Sequence, residues 1–293
     1  MLKPRTLSDL WENYSTYSST SANQKKLDAY LWRSYLYPSF GVECPETIKS
    51  LSVLLFKNKL LQTLSPQTTH HCLSLLRRIY RKNQMWDLYH GEIPHFDMPK
   101  FDNRRIRFLT PEEVDLLSFQ LLSRSELWHD ISIFALHTGL RSKEIFNLQK
   151  HCINLTERIA YILDSKSTQN RAIPLNKVAC AICQKYLRTR SSYLFTGQNE
   201  KMIRFVSKTF FRTIHDCGLN SGVTDRRQRV VFHTLRHTFA SWLVQAGHSL
   251  TLVGELLGHK TPQMTKRYAH LSPKHGRAAV SDLDDIGFHV NGF

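Results

Sequence analysis

Apolar positions in the first hundred residues repeat at helical spacing in four blocks: "LSDLWENY", "SANQKKLDAYLWRSYLYPSFG", the stretch from Leu51 to Leu61, and "SPQTTHHCLSLLRRIYRKNQMW". Pro38 and Gly41 are expected to end the second block. Ser65 followed by Pro66 starts the fourth, a capping hydroxyl ahead of a proline whose missing N–H costs nothing in a first helical turn. On that helix Leu73, Leu76, Ile79 and Tyr80 form one buried stripe, while Arg77, Arg78, Arg81 and Lys82 lie largely off it as a basic face, expected, given the chain's basic balance, to contact nucleic-acid phosphates. Periodicity then fails across "WDLYHGEIPHFDMPKFDNRRIR", residues 86–107, where two prolines and a glycine predict a linker.

A second region opens at Thr110, Pro111, Glu112 and Glu113, which read as a capping box. The helix "SELWHDISIFALHTG" carries Leu127, Ile131, Phe134 and Ala135 on one stripe and is expected to stop at Gly139. Next, "RIAYILD" and "RAIPL" flank the polar turn "SKSTQN" and predict a hairpin. Helices are expected over "VACAICQKYLR", "VSKTFFRTIHDCG", "HTLRHTFASWLVQAG", "LTLVGELLG" and "PQMTKRYAHL". The fold class is therefore mainly α with a small β-sheet, α+β, in two domains over 1–100 and 101–275. A segment at 276–293 has an acidic cluster, Asp282, Asp284 and Asp285, ahead of apolar Ile286, Phe288 and Val290.

Composition narrows the partner. The 293 residues carry a formal net charge of +16, with lysine and arginine spread along the chain. Such a balance favours nucleic acid, because each neutralised phosphate releases counterions. No apolar run reaches the ~18 residues of a membrane span and no export signal follows Met1, so a cytoplasmic protein without a membrane partner is expected. The six cysteines are scattered, which suits a reducing compartment. Cys180 and Cys183 alone have a metal-like spacing, no further pair completes four ligands, and they read as small buried side chains; no metal site is expected.

The chemistry lies in four stretches of the second region: "HTGLRSKEI", the hairpin around Lys166, "HTLRH" and "LLGHKTPQMTKRYAHL". Opening a phosphodiester without a metal needs cations and donors around the two non-bridging oxygens as phosphorus becomes five-coordinate. Arginine donates two parallel hydrogen bonds and stays charged, so Arg141 and Arg236 are expected to clamp such a phosphate. His233 and Arg236, spaced i, i+3, share a helix face.

In this order and spacing the four stretches resemble the tyrosine recombinases, the phage integrase and Xer-like family. The helical first region is similar, more weakly, to that family's core-binding domain. The resemblance implies a site-specific recombinase whose two domains close around DNA like a clamp, with residues 1–100 a DNA-binding domain and 101–275 the catalytic domain. It makes Tyr268 the nucleophile, His259 a hydrogen-bond donor to the phosphate, and His233 a proton-handling or phosphate-binding group. Lys166 becomes the general acid on the leaving 5′ oxygen, with Arg171 its competitor if the hairpin register shifts. Glu144 is expected to orient Arg141 or His259, and His237 to be structural. The surrounding positive charge is expected to favour the phenolate of Tyr268, two turns into the last helix.

The implied product is a 3′-phosphotyrosyl bond with a free 5′ hydroxyl, reached with no cofactor, neither metal nor ATP. The implied partners are double-stranded DNA, a homotetramer on paired sites, and accessory DNA-bending proteins, with nucleoid association when DNA is bound. The length suggests a simple integrase or Xer-like enzyme. Residues 276–293 are either exchanged between protomers or a plain end. Two alternatives stay open: a catalytically silent DNA-binding protein of the same fold, and DNA relaxation of the type IB topoisomerase kind.

Overall fold

The computed structural model describes residues 5–102, 107–163 and 170–272. The chain divides into two compact units, Met1–Asn103 and Arg104–Phe293. Lys166 and residues 276–293 lie outside the described residues.

In the first unit, α1 (Leu7–Tyr17) is capped by Thr6 and Asp9, each side chain bonding the other's backbone N–H. Helix α2 (Ala22–Leu31) begins a helical run that passes Pro38 and ends at the Gly41 cap, where its sequence places the stop. It widens into a π turn over Trp32–Leu36 and continues as α3 (Tyr37–Phe40). Proline lacks an N–H and crowds the carbonyl four residues back, and a wider turn just before it relieves that conflict. Helices α4 (Ser50–Thr63) and α5 (Pro66–Met85) complete the bundle, α5 starting at the Ser65 cap. Leu73, Leu76, Ile79 and Tyr80 are fully buried, as the stripe predicts.

Residues 86–102 contain no helix or strand, yet the stretch is not a free linker from its start. Tyr89 and Phe96 are buried in the first unit's core with Ile93 and Met98 packed beside them, and the His95 N–H bonds Ser50 Oγ at 2.9 Å. Two aromatic rings and their flanking aliphatics recover enough apolar burial to hold irregular backbone in place.

The second unit is built around α7 (Glu126–Thr138), most of whose side chains are buried, including Ile131, Phe134 and Ala135 of the expected stripe. Helix α6 (Pro111–Leu122), capped by Thr110 and Glu113, packs on it. After the short α8 (Ser142–Phe146) come β1 (Ile153–Asn154), β2 (Ile159–Ile162) and β3 (Arg171–Pro174), an antiparallel sheet in that order. Ile162 pairs with Arg171, so the expected hairpin is present, with β1 as an unforeseen third strand. Helices α9 (Lys177–Leu187), α10 (Lys208–Asp216), α11 (Phe232–Gln245) and α12 (Leu250–Leu257) follow.

The last expected helix is broken. Helix α13 (Pro262–Lys266) stops before Tyr268, and a 3-10 turn covers Ala269–Leu271. The Tyr268 N–H bonds the Thr265 carbonyl three residues back, a tighter spacing that ends the α-helix and leaves the tyrosine in the joint. Ala240, Val244, Val253, Leu257 and Tyr268 form a small separate core. No helix among the described residues is long and apolar enough to cross a membrane.

Candidate active site

Three helix ends and one strand build the site, all within the second unit. Helix α7 stops at Gly139 and α12 at Gly258, both left-handed with φ of 63° and 64°. Glycine is required at each: a Cβ at 139 would enter the Phe239 ring, and one at 258 would meet the Arg171 guanidinium at 2.7 Å. Between these two ends α11 inserts Arg236, only 3% exposed. Its Nη1 donates to the Gly139 carbonyl and its Nη2 to the Leu257 carbonyl, both at 2.7 Å. Carbonyls at helix C-termini carry partial negative charge, and this is what lets a guanidinium stay buried. Burial first, then the Arg141 charge, lowers its pKa to about 9, which still leaves it charged at neutral pH.

Arg141 sits immediately before α8. Its backbone N–H and its Nη1 both donate to Glu144, at 2.7 and 2.9 Å, and its Nη2 reaches the Gly258 carbonyl at 3.4 Å. Glu144 also accepts a fork from Arg171, at 3.0 and 2.9 Å, and lies 4.0 Å from Arg236 Nη1. Burial alone raises the Glu144 pKa. The Arg171 hydrogen bonds, the Arg141 N–H and the charges of both arginines outweigh it and hold the carboxyl below its ordinary range. One carboxylate thus organises three guanidinium groups. It touches Arg141, as the sequence suggests, and also Arg171, a contact the sequence did not point to.

His259 follows Gly258 and shares a 2.7 Å hydrogen bond between its Nδ1 and Thr265 Oγ1. Burial, then Arg236, Arg141, Arg267 and Arg171, push its pKa down to about 4, so the imidazole is neutral at pH 7. Arg141, Glu144, Arg171, His259 and Lys260 line an open concavity of about 1060 Å³. Leu163 and Asn170, the described residues flanking the turn that carries Lys166, stand on the same rim.

His233 is exposed at the start of α11 while Arg236, three residues on, is buried. The His233 ring meets the edge of His237, centroids 4.8 Å apart. His237 in turn shares a 2.6 Å hydrogen bond, through Nδ1, with the Tyr268 hydroxyl. Tyr268 is 5% exposed and does not line the concavity. The expectation that positive charge favours its phenolate is corrected here: burial raises its pKa, and the lowering by Arg267 and Arg236 is smaller. His237, expected to be structural, makes a contact to Tyr268 that the sequence did not point to. Its only sequence signal was a second histidine four places after the first, one helical turn along the same face.

In the first unit Arg77 and Arg81, one turn apart on α5, line a polar concavity of about 790 Å³ with Gln84 and His95. Arg78 instead donates to Asp28 at 2.7 Å, and Lys82 lies 5.8 Å from the Trp86 ring. Cys183 is buried and its thiol is pushed up to about 12 by burial. Among the described residues no three metal-ligating side chains are grouped to hold an ion.

A helical unit with a three-stranded antiparallel sheet, and two arginines at paired helix ends beside a Gly-His turn and a tyrosine, has the architecture of the tyrosine recombinases. Solved structures agree on the fold: the Tn1549 transposon integrase in complex with a circular intermediate DNA superposes with a TM-score of 0.79 at 20% identity, over 95% of this chain and all of that one. The phage integrase family model matches residues 107–275, and the chain belongs to that family. It is 32% identical to the integrase of Salmonella phage P22 over 227 residues, 73% of this chain, and spans about half (55%) of that relative's length. The tyrosine recombinase XerA of Pyrococcus furiosus is 25% identical over 288 residues, 95% of this chain and 96% of that protein.

Proposed function

We propose that this protein is a site-specific DNA recombinase that cuts and rejoins strands through a covalent bond between Tyr268 and a backbone 3′-phosphate. The observation that carries the proposal is the convergence of Arg141 and the buried Arg236 on Glu144, with Arg141, Glu144 and His259 lining one open concavity. Two guanidiniums and a neutral imidazole supply the donors that a five-coordinate phosphorane needs, with no metal or nucleotide required. Arg141 and Arg236 hold the non-bridging oxygens, His259 donates to one of them, and His233 binds the phosphate or handles the phenolic proton. Lys166 protonates the leaving 5′ oxygen. As the P–O5′ bond breaks, the P–O bond to Tyr268 forms, which conserves the phosphodiester for a later attack by another 5′ hydroxyl.

Residues 1–100 serve as a DNA-binding domain through Arg77 and Arg81, and the two domains close around the duplex. Exchange between two duplexes involves four strands with one tyrosine each, so the working form is a homotetramer on paired sites. Accessory DNA-bending proteins and exchange of residues 276–293 between protomers belong to the same proposal.

The test uses a nicked suicide duplex in EDTA without ATP. The expected result is a protein–DNA adduct that vanishes in Tyr268→Phe. Tight DNA binding with no adduct would mark a catalytically silent binder, and relaxation of supercoils by monomer without exchange products would mark the topoisomerase-like alternative.

A further inference from the structure

We infer that Arg171 is a positioning residue for phosphate binding, which sets Arg141 through Glu144 and the His259 turn through Gly258. The inference rests on the phosphoryl-transfer role proposed above. Arg171 opens β3, and both of its terminal nitrogens go to the two oxygens of Glu144, Nη1 to Oε1 at 3.0 Å and Nη2 to Oε2 at 2.9 Å. Each of those oxygens also accepts from Arg141, Oε1 from Nη1 and Oε2 from the backbone N–H. The plane of the carboxylate is therefore fixed by a fork from the strand, and Arg141 hangs from a carboxylate that cannot turn. A lone i, i+3 ion pair at a partly exposed helix start would be weak and mobile.

Arg171 has a second contact. Its guanidinium lies so close to Gly258 that a methyl there would sit 2.7 to 2.8 Å from three of its atoms. Gly258 gives its carbonyl to Arg141 and is followed by His259. One flat side chain thus seats the carboxylate that aims the first arginine and the turn that aims the histidine. Its Nε is buried with no hydrogen-bond partner among the described residues, so the side chain is placed for its terminal fork and not for full satisfaction. Lysine offers neither the parallel fork nor the flat face. With both ends of the fork turned onto Glu144, Arg171 is not the alternative proton donor to Lys166 that its place in the sequence allowed.

The test compares wild-type protein, Arg171→Lys, Glu144→Gln and the double variant on the nicked duplex at saturating DNA. Misplacing a phosphate-holding group by about 1 Å costs on the order of 100-fold. Arg171→Lys is expected to slow adduct formation by about tenfold or more, with DNA affinity and melting temperature close to wild type, and the double variant is expected to be no slower than the worse single. Arg171→Lys at the wild-type rate, or effects that multiply in the double variant, would overturn the assignment. A second arm needs no activity: phenylglyoxal, an arginine reagent, is expected to modify Arg141 faster in DNA-free Arg171→Lys than in wild type, read by peptide mass. An unchanged Arg141 rate also overturns it. Should wild-type protein form no adduct, the recombinase proposal falls on its own and the phenylglyoxal arm still decides Arg171.

Discussion

The Tyr268 hydroxyl and His237 Nδ1 lie 2.6 Å apart, both residues 5% exposed, on two elements that the chain separates by 31 positions. The proposed nucleophile is therefore held inside the small core that α11 and α12 build with it, and away from the concavity that Arg141 and His259 line. For the Tyr268 hydroxyl to reach a phosphate in that concavity, the joint between α13 and the following 3-10 turn is expected to move.

A consequence is open to chemistry on the DNA-free protein. Tetranitromethane nitrates exposed tyrosine rings, and Tyr268 is expected to resist it. His237→Phe keeps an aromatic ring but removes the hydrogen-bond partner, and is expected to raise the Tyr268 nitration rate several-fold, read by peptide mass. His237→Gln retains a hydrogen-bonding group and is expected to restore part of the protection. Equal nitration of Tyr268 in wild type and His237→Phe would mean that the bond does not hold the ring.

His259 gives a pH prediction with a definite sign. Burial and the four arginines disfavour its charged form, so the folded chain binds fewer protons than the unfolded one between about 4 and the ordinary histidine value of ~6.5. Stability is level in this respect above pH ~6.5 and falls as pH drops toward about 4. Glu144 has a depressed pKa, and its contribution is lost only lower, below the ordinary glutamate value of ~4.3. The His259 ring-proton resonance is expected to titrate near pH 4, and His259→Asn to remove the upper part of the acid loss. A titration midpoint near 6.5 would contradict the desolvated, arginine-flanked setting.

Apolar periodicity made most of the helices legible, because burial of one face dictates the spacing that a reader sees: Leu73, Leu76, Ile79 and Tyr80 were fully buried as their pattern required. The misreadings share a cause. Pro38 and Gly41 were read together as the stop; the run does end at Gly41, but a π turn that no periodicity encodes carries it past the proline. Residues 86–107 were read as linker from their prolines and glycine, though Tyr89 and Phe96 already offered apolar anchors. At the site, Arg141, Arg236 and His259 were legible from motif order. The Glu144–Arg171 fork and the His237–Tyr268 bond were not, since each joins elements brought together only by tertiary packing.

Gly258 separates strain from function. Alanine there pays the left-handed penalty of roughly 1–2 kcal/mol and also displaces Arg171. Gly222 has φ of 72° but nothing within 4 Å of its would-be Cβ, so Gly222→Ala meets the backbone penalty alone. Both variants are expected to melt a few degrees early. Only Gly258→Ala should lose strand cleavage, by about tenfold or more, because the turn before His259 and the carbonyl bonded by Arg141 both shift. Matching cleavage losses in the two variants would show that general destabilisation is responsible.

The arginines of α5 divide by partner, and a salt titration can resolve them. Asp28, 1% exposed, takes hydrogen bonds from Tyr14, Gln24 and Arg78. Removing one partner of a buried pair leaves the other uncompensated, at a cost of about 3 kcal/mol, less here because Arg78 is partly exposed. Arg78→Ala is therefore expected to lower the melting temperature of the first unit. Arg77 and Arg81 instead line a polar concavity, and alanine at either is expected to leave melting near wild type. If those two side chains meet phosphates, each substitution lowers the slope of log affinity against log salt by about 1 and weakens binding to all sequences alike. An unchanged slope in both would remove that face of α5 from the DNA-binding surface, whatever Arg78→Ala does to stability.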